Sequence, residues 1–132
     1  MKIFTALFLI IFSESIYAEV PQEIQGVWIP DIDKTIALME KNMDEVDSSF
    51  MRERYLPKLK RTITENQYIH VTGSREFMSD ISLQEKQGSN FVMVLSSSST
   101  PEIQVTFIPQ ENGMYIMQSN NPASGNLVWK RP

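Results

Sequence analysis

Apolar residues recur at helical spacing in the first half of this chain and alternate in the second half. Ile24, Val27, Trp28 and Ile29 form a short apolar opening segment that reads as one strand. It stops at Pro30, which has no N–H to give to a ladder. Ile32, Ile36, Met39, Met43, Val46 and Phe50 then advance by steps of four and three residues, the spacing of one continuous helical face. Asp31 or Asp33 is placed to cap that helix, because a short carboxylate accepts the free N–H groups of a first turn. Asp44, Glu45 and Asp47 lie mostly off the stripe, while Arg52, Arg54, Lys58, Lys60 and Arg61 crowd its end, where cations suit exposed carbonyls. Pro57 ends or kinks the helix, and Asp47-Ser48-Ser49 is a point at which it can break in two.

From Arg61 onward the pattern is that of a half-buried sheet with frequent turns. Thr62 to Thr72 reads as one strand with Ile69 and Val71 on one face and His70 on the other. Phe77, Ile81 and Leu83 mark the next, Phe91, Met93 and Leu95 a third, and Ile103, Val105 and Phe107 a fourth. Gln110-Glu111-Asn112-Gly113 is the plainest hairpin signal. Met114 to Gln118 and Leu127 to Lys130 complete the set, separated by the polar loop from Ser119 to Asn126. Short connections favour antiparallel neighbours, since parallel pairs need long crossovers. The expected fold is α+β: a short N-terminal strand, one long helix that can break in two, then an antiparallel meander of about six strands forming a curved sheet or small, partly open barrel. Val92, Val94, Ile108 and Val128 are apolar on the second face of their strands, as a covering helix or a curling sheet requires.

Residues 1–18 change the picture from fold to address. Lys2 followed by the apolar run Ile3 to Phe12, then Ser13, Ser15 and Ala18, reads as a secretory signal peptide cut after Ala18, with Ser15-Ile16 as the alternative. The apolar run is shorter than the roughly 20 residues of a membrane helix. The expected mature protein, residues 19–132, is a single domain, exported to a periplasm or secreted in soluble form. A chain of 132 residues with net charge −4 and no cysteine has no disulfides and no lipoprotein anchor cysteine, and gives nucleic acid no basic surface.

Chemistry-bearing patterns are sparse. His70 is the single histidine and has no partner motif, the serines at 96–99 lack a nucleophile-elbow context, and Asp31 and Asp33 lack the further ligands of a calcium loop. No glycine-rich phosphate loop exists. The expectation is a non-enzyme without a cofactor or metal. Eight methionines, Met39 and Met43 among them, can fill a core or line a pliable apolar cavity.

Gly26-Val27-Trp28 on the first strand, followed by a helical segment and a meander, resembles the calycin group of ligand-binding barrels, the lipocalins and fatty-acid-binding proteins. The resemblance implies that Trp28 closes one barrel end and that a basic residue near the chain end, Lys130 or Arg131, packs on it. The chain departs from lipocalins in placing no long helix after the barrel, and from fatty-acid-binding proteins in strand number and in lacking their R-x-Y anchor near Trp129. The functional expectation is a small exported binding protein holding an apolar or amphiphilic ligand, with Trp28, Met39, Met43 and Phe50 as wall residues and Tyr68 or Tyr115 as polar contacts. The alternative is a periplasmic inhibitor or immunity-type protein that engages an enzyme or toxin through the loops 96–101 and 119–126.

Overall fold

A computed structural model describes residues 20–42, 45–98, 100–120 and 126–132; the proposed signal segment, Met43, Ser99 and most of the 119–126 loop lie outside them. Its strands are β1 (Gly26–Pro30), β2 (Leu59–Ile63), β3 (Gln67–Thr72), β4 (Arg75–Gln87), β5 (Asn90–Ser97), β6 (Thr100–Pro109), β7 (Tyr115–Ser119) and β8 (Val128–Lys130). Each pairs antiparallel with its sequence neighbour, and β8 returns to β1 to close an eight-stranded barrel. The expected meander of about six strands is therefore corrected to seven after the helical segment. The stretch 62–72 is two strands, because the Thr64 hydroxyl accepts the N–H of Gln67 at 3.0 Å and so turns the chain. Lys60 and Arg61, read from the sequence as the end of a helix, belong to β2. The serine-rich stretch is also largely strand, Ser96 and Ser97 ending β5 and Thr100 and Pro101 opening β6.

The helix takes its broken form, and its second stretch starts at Asp47-Ser48-Ser49. Helix α1 (Ile32–Asn42) is followed by a second helical stretch made of Ser48–Phe50, a π-helical turn at Met51–Tyr55 and a 3-10 turn at Leu56–Lys58. Each stretch has its own aspartate cap: Asp31 Oδ1 accepts from Lys34 N and Asp47 Oδ1 from Phe50 N, both at 3.0 Å. Such caps contribute about 1 kcal/mol each. Both stretches connect β1 to β2, and they dock through buried Ile36 and Leu56. Thr35 fixes the docking, its hydroxyl accepting the Val128 N–H at 3.1 Å while lying 3.3 Å from the Val128 carbonyl.

Alternation along the strands aims Leu59, Ile63, Phe91, Met93, Leu95, Val105, Phe107, Met117 and Trp129 inward, and all are buried. One barrel end is closed by the turn before β1, where Ile24 N–H donates to the Pro21 carbonyl and Val20 and Ile24 are buried. Trp28 Nε1 donates to the Ile24 carbonyl at 2.8 Å. Arg131, not Lys130, covers the Trp28 ring, its guanidinium carbon 3.9 Å from the ring centre. The same group donates to the carbonyls of Gln25 and Glu23. Gly26 admits it: φ is +116° there, and a Cβ would overlap the Arg131 guanidinium. Lys130 turns instead toward Asp31, 3.9 Å away.

Replacing Arg131 with Ala removes a cation–π contact and two hydrogen bonds, and is expected to lower stability by about 1–3 kcal/mol in urea unfolding. Gly26→Val adds backbone strain and a clash, and should cost about 2 kcal/mol or more. Once Arg131 is already Ala the clash is gone, so Gly26→Val should cost measurably less in that background, which a double-mutant cycle reads directly.

Candidate functional site

At the inward positions of β2 and β3 the alternation carries polar side chains into the barrel. Arg61 stands between Leu59 and Ile63, and the strand register pairs Trp28 with Arg61, Arg61 with His70, and His70 with Phe77. Residues directly opposite on neighbouring strands share a face, so these four form one inward row. Arg61 is buried at 7 % exposure. Its Nε donates to His70 Nδ1 at 3.1 Å, and its guanidinium carbon lies 4.2 Å from the Trp129 ring centre and 5.5 Å from that of Tyr68.

No carboxylate balances this charge among the described residues. The ion pairs found there join Lys34 to Glu111, Arg52 to Asp33 and Lys130 to Asp31. Burial pulls the Arg61 pKa below its ordinary value, opposed by Tyr68 and Tyr55, yet a guanidinium stays protonated in proteins. Taking such an ion out of water costs several kcal/mol. A cation–π contact returns about 2 kcal/mol when desolvated, and the bond to neutral His70 adds roughly 1.5–3 kcal/mol. The interior therefore holds a cation that its protein neighbours only partly compensate.

A second group nearby is incomplete. Trp129 Nε1, in the ring beneath the guanidinium, is buried without a hydrogen-bond partner, as is Gln84 Oε1 on β4. Buried donors are nearly always satisfied, so an orphan indole N–H beside an unbalanced cation marks a place for an acceptor.

The hydrogen bonds fix the His70 tautomer. Arg61 Nε can only donate, so Nδ1 accepts, and the proton sits on Nε2, facing Thr72 Oγ1 at 3.0 Å. Burial first, then the neighbouring Arg61 charge, lower the His70 pKa to about 4. Burial likewise raises the Tyr68 hydroxyl, with Arg61 opposing.

The residues singled out from sequence are placed unevenly. Tyr68 lies beside Arg61, and Trp28 meets Tyr115 edge-on at 5.5 Å near the closed end. Met39 is partly buried on α1, apart from that cluster. Phe50 sits on the outer surface, 49 % exposed and stacked on Tyr55. Met43 is outside the described residues. Sequence reasoning missed Arg61 and Trp129. The signal was Leu59-x-Arg61-x-Ile63, a strand alternation with a cation at an inward position, hidden inside a basic run.

No family model matches this chain, and no curated protein or solved structure matches it. What it shares with the calycin group is architectural, a closed eight-stranded antiparallel barrel. Among the described residues no helix is long and apolar enough to cross a membrane, and no group of His, Cys, Asp or Glu could hold a metal ion.

The neutral His70 makes stability depend on pH. Its folded pKa of about 4 lies below the ordinary histidine value of 6.5, so the unfolded chain binds the extra proton between those limits. The stabilisation is complete above pH 6.5 and drains away as pH falls toward 4. Urea unfolding of wild type and His70→Gln, which keeps an acceptor for Arg61, should diverge over this window. The wild type is expected to lose up to about 2 kcal/mol more, after discounting for the solvent that reaches the ring.

Proposed function

We propose that this chain is a small exported, non-enzymatic binding protein of calycin kind, holding an amphiphilic ligand with an acidic head group on Arg61 and Trp129. One observation carries the reading: a buried guanidinium lies over an indole, and among the described residues the first has no counter-ion and the N–H of the second no partner. A carboxylate would balance the first and accept from the second, and Tyr68 would flank it. The apolar tail would lie among Met93, Met117 and Phe107, and the two unbranched methionines can repack around it. Entry is expected where β4 and β5 part: inward-facing Phe77 is 54 % exposed, and Ile81 and Ile103 are partly exposed. Export follows from the signal-like residues 1–18, with cleavage near Ala18.

The test is a titration of the mature protein, followed by tryptophan fluorescence, with a long-chain carboxylic acid and the alcohol of equal length. The acid is expected to bind about tenfold or more tightly, the value of one charge-assisted hydrogen bond. Arg61→Met should erase that preference. Met fills the space without a charge, so this variant should melt at or above the wild-type temperature. Equal affinity for acid and alcohol, or a preference that survives in Arg61→Met, would remove the reading.

A further inference from the structure

Strand β4 is paired on both sides only in part. Its residues Arg75 to Asp80 pair with β3, whereas its pairing with β5 begins at Asp80 with Ser96. Among the described residues none pairs with 75–79 in the β4–β5 register, which ends at Asp80 and Ser96. The segment carries Phe77 and Met78, 54 % and 51 % exposed, the two most exposed large hydrophobic side chains among the described residues. We propose that this edge pairs with the same edge of a second copy of the chain, antiparallel and centred on Phe77.

Backbone polarity supports the assignment. The Ile81 N–H donates to Asn66 on the β3 side, and the ladder from Gln67–Asp80 to Thr72–Arg75 has no register shift. Alternate residues point their N–H and C=O groups to opposite sides. Arg75, Phe77 and Ser79 therefore serve β3, while Glu76 and Met78 aim theirs at the open edge. Unpaired edge groups of this kind are a template for another strand.

The side chains select the partner and its register. Two copies related by a two-fold axis must oppose residues of the same face, so the axis passes through one residue. Centred on Glu76, the pairing sets two glutamates against each other. Centred on Met78, it sets Glu76 against Asp80, whose backbone β5 already engages. Centred on Phe77, it opposes Glu76 to Met78, whose outward backbone groups can exchange both hydrogen bonds, and Arg75 to Ser79. Phe77 meets its own copy, and no like charges stand opposite. Of these three registers only this one opposes no like charges and leaves Asp80 to β5. The edge is short against the roughly 1,200–2,000 Å² of a stable interface, so the dimer is reversible and concentration-dependent.

The chain has no cysteine, which permits a clean test on the full mature protein. Under mild oxidation Phe77→Cys is expected to crosslink rapidly, because opposed residues of a non-hydrogen-bonded pair lie about 4.5 Å apart at Cα. Glu76→Cys and Met78→Cys should each crosslink slowly alone, being too far from their own copies, and quickly when mixed. Sedimentation should show wild type shifting from monomer to dimer with concentration, and Met78→Pro remaining monomeric. That proline removes only an outward N–H, so its melting temperature should stay near wild type. Equal crosslinking at all three positions, a wild type monomeric at every concentration, or an edge that takes up only an extended peptide of another protein would overturn the proposal.

Discussion

The barrel depends on the seam between its first and last strands. There β1 and β8 meet through Ile29 with Lys130 and Pro30 with Trp129, and Pro30 has no N–H to contribute. So short a ladder is marginal by itself. Four other contacts reinforce it: Arg131 over Trp28, the Arg131 bonds to the turn before β1, the Asp31 N–H to the Val128 carbonyl, and Thr35 against the Val128 backbone. These hold Trp129 inside the barrel, and Trp129 is the ring on which Arg61 rests. Opening the seam would strip Arg61 of its main π contact. Closure and site thus rest on one set of contacts, and a substitution that loosens the chain ends should be felt at the centre.

Arg61 is the opposite kind of feature, one that the fold carries at a loss. A methionine at its place would fill the interior without desolvating a charge, and such replacements of buried ions are often neutral or stabilising. The neighbours are arranged around the cation all the same. His70 is held neutral with its acceptor nitrogen toward Arg61 Nε, and Thr72 holds the far side of the ring. An interior that keeps an uncompensated charge, and orients a histidine to tolerate it, violates local stability rules at one place, which is where function concentrates.

The sequence made much of the frame readable. Asp31 and Asp47 mark the two helix starts, Asn112 takes the positive φ its hairpin needs, and the parity of β5 and β6 is as the alternation predicts. Two things were obscured. Lys58, Lys60 and Arg61 suit both the end of a helix and an exposed strand, and periodicity cannot separate these when three charges fall within four residues. The Thr64 turn uses a side-chain oxygen in place of Gly or Pro, so nothing punctuates the sequence between β2 and β3. The missed turn concealed a strand, and with it the inward position of Arg61. His70 was read correctly as facing opposite to Ile69 and Val71, but which face was the interior depended on the strand it opposes.

A single inserted residue on β4 accounts for the remaining asymmetry of the barrel. The register steps from Ile81 opposite Leu95 to Leu83 opposite Val94, leaving Ser82 as a bulge whose hydroxyl donates to the Val94 carbonyl. Before the bulge the odd-numbered residues face inward, Phe77 and Ile81 among them; after it Gln84 does, opposite Met93. Bulges bend a strand and sharpen its twist. Asp80 and Ile81 still pair with β5 before the bulge, and from Arg75 to Ser79 β4 runs past the end of that ladder, paired with β3 alone. The same step brings a buried amide into the wall opposite Met93 while Phe77 and Ile81 keep the inner face. Removing Ser82 would turn either Phe77 and Ile81 or Gln84 to the other face, since a one-residue slip reverses every side chain beyond it, so the bulge is better understood as a device of this barrel than as a defect in its ladder.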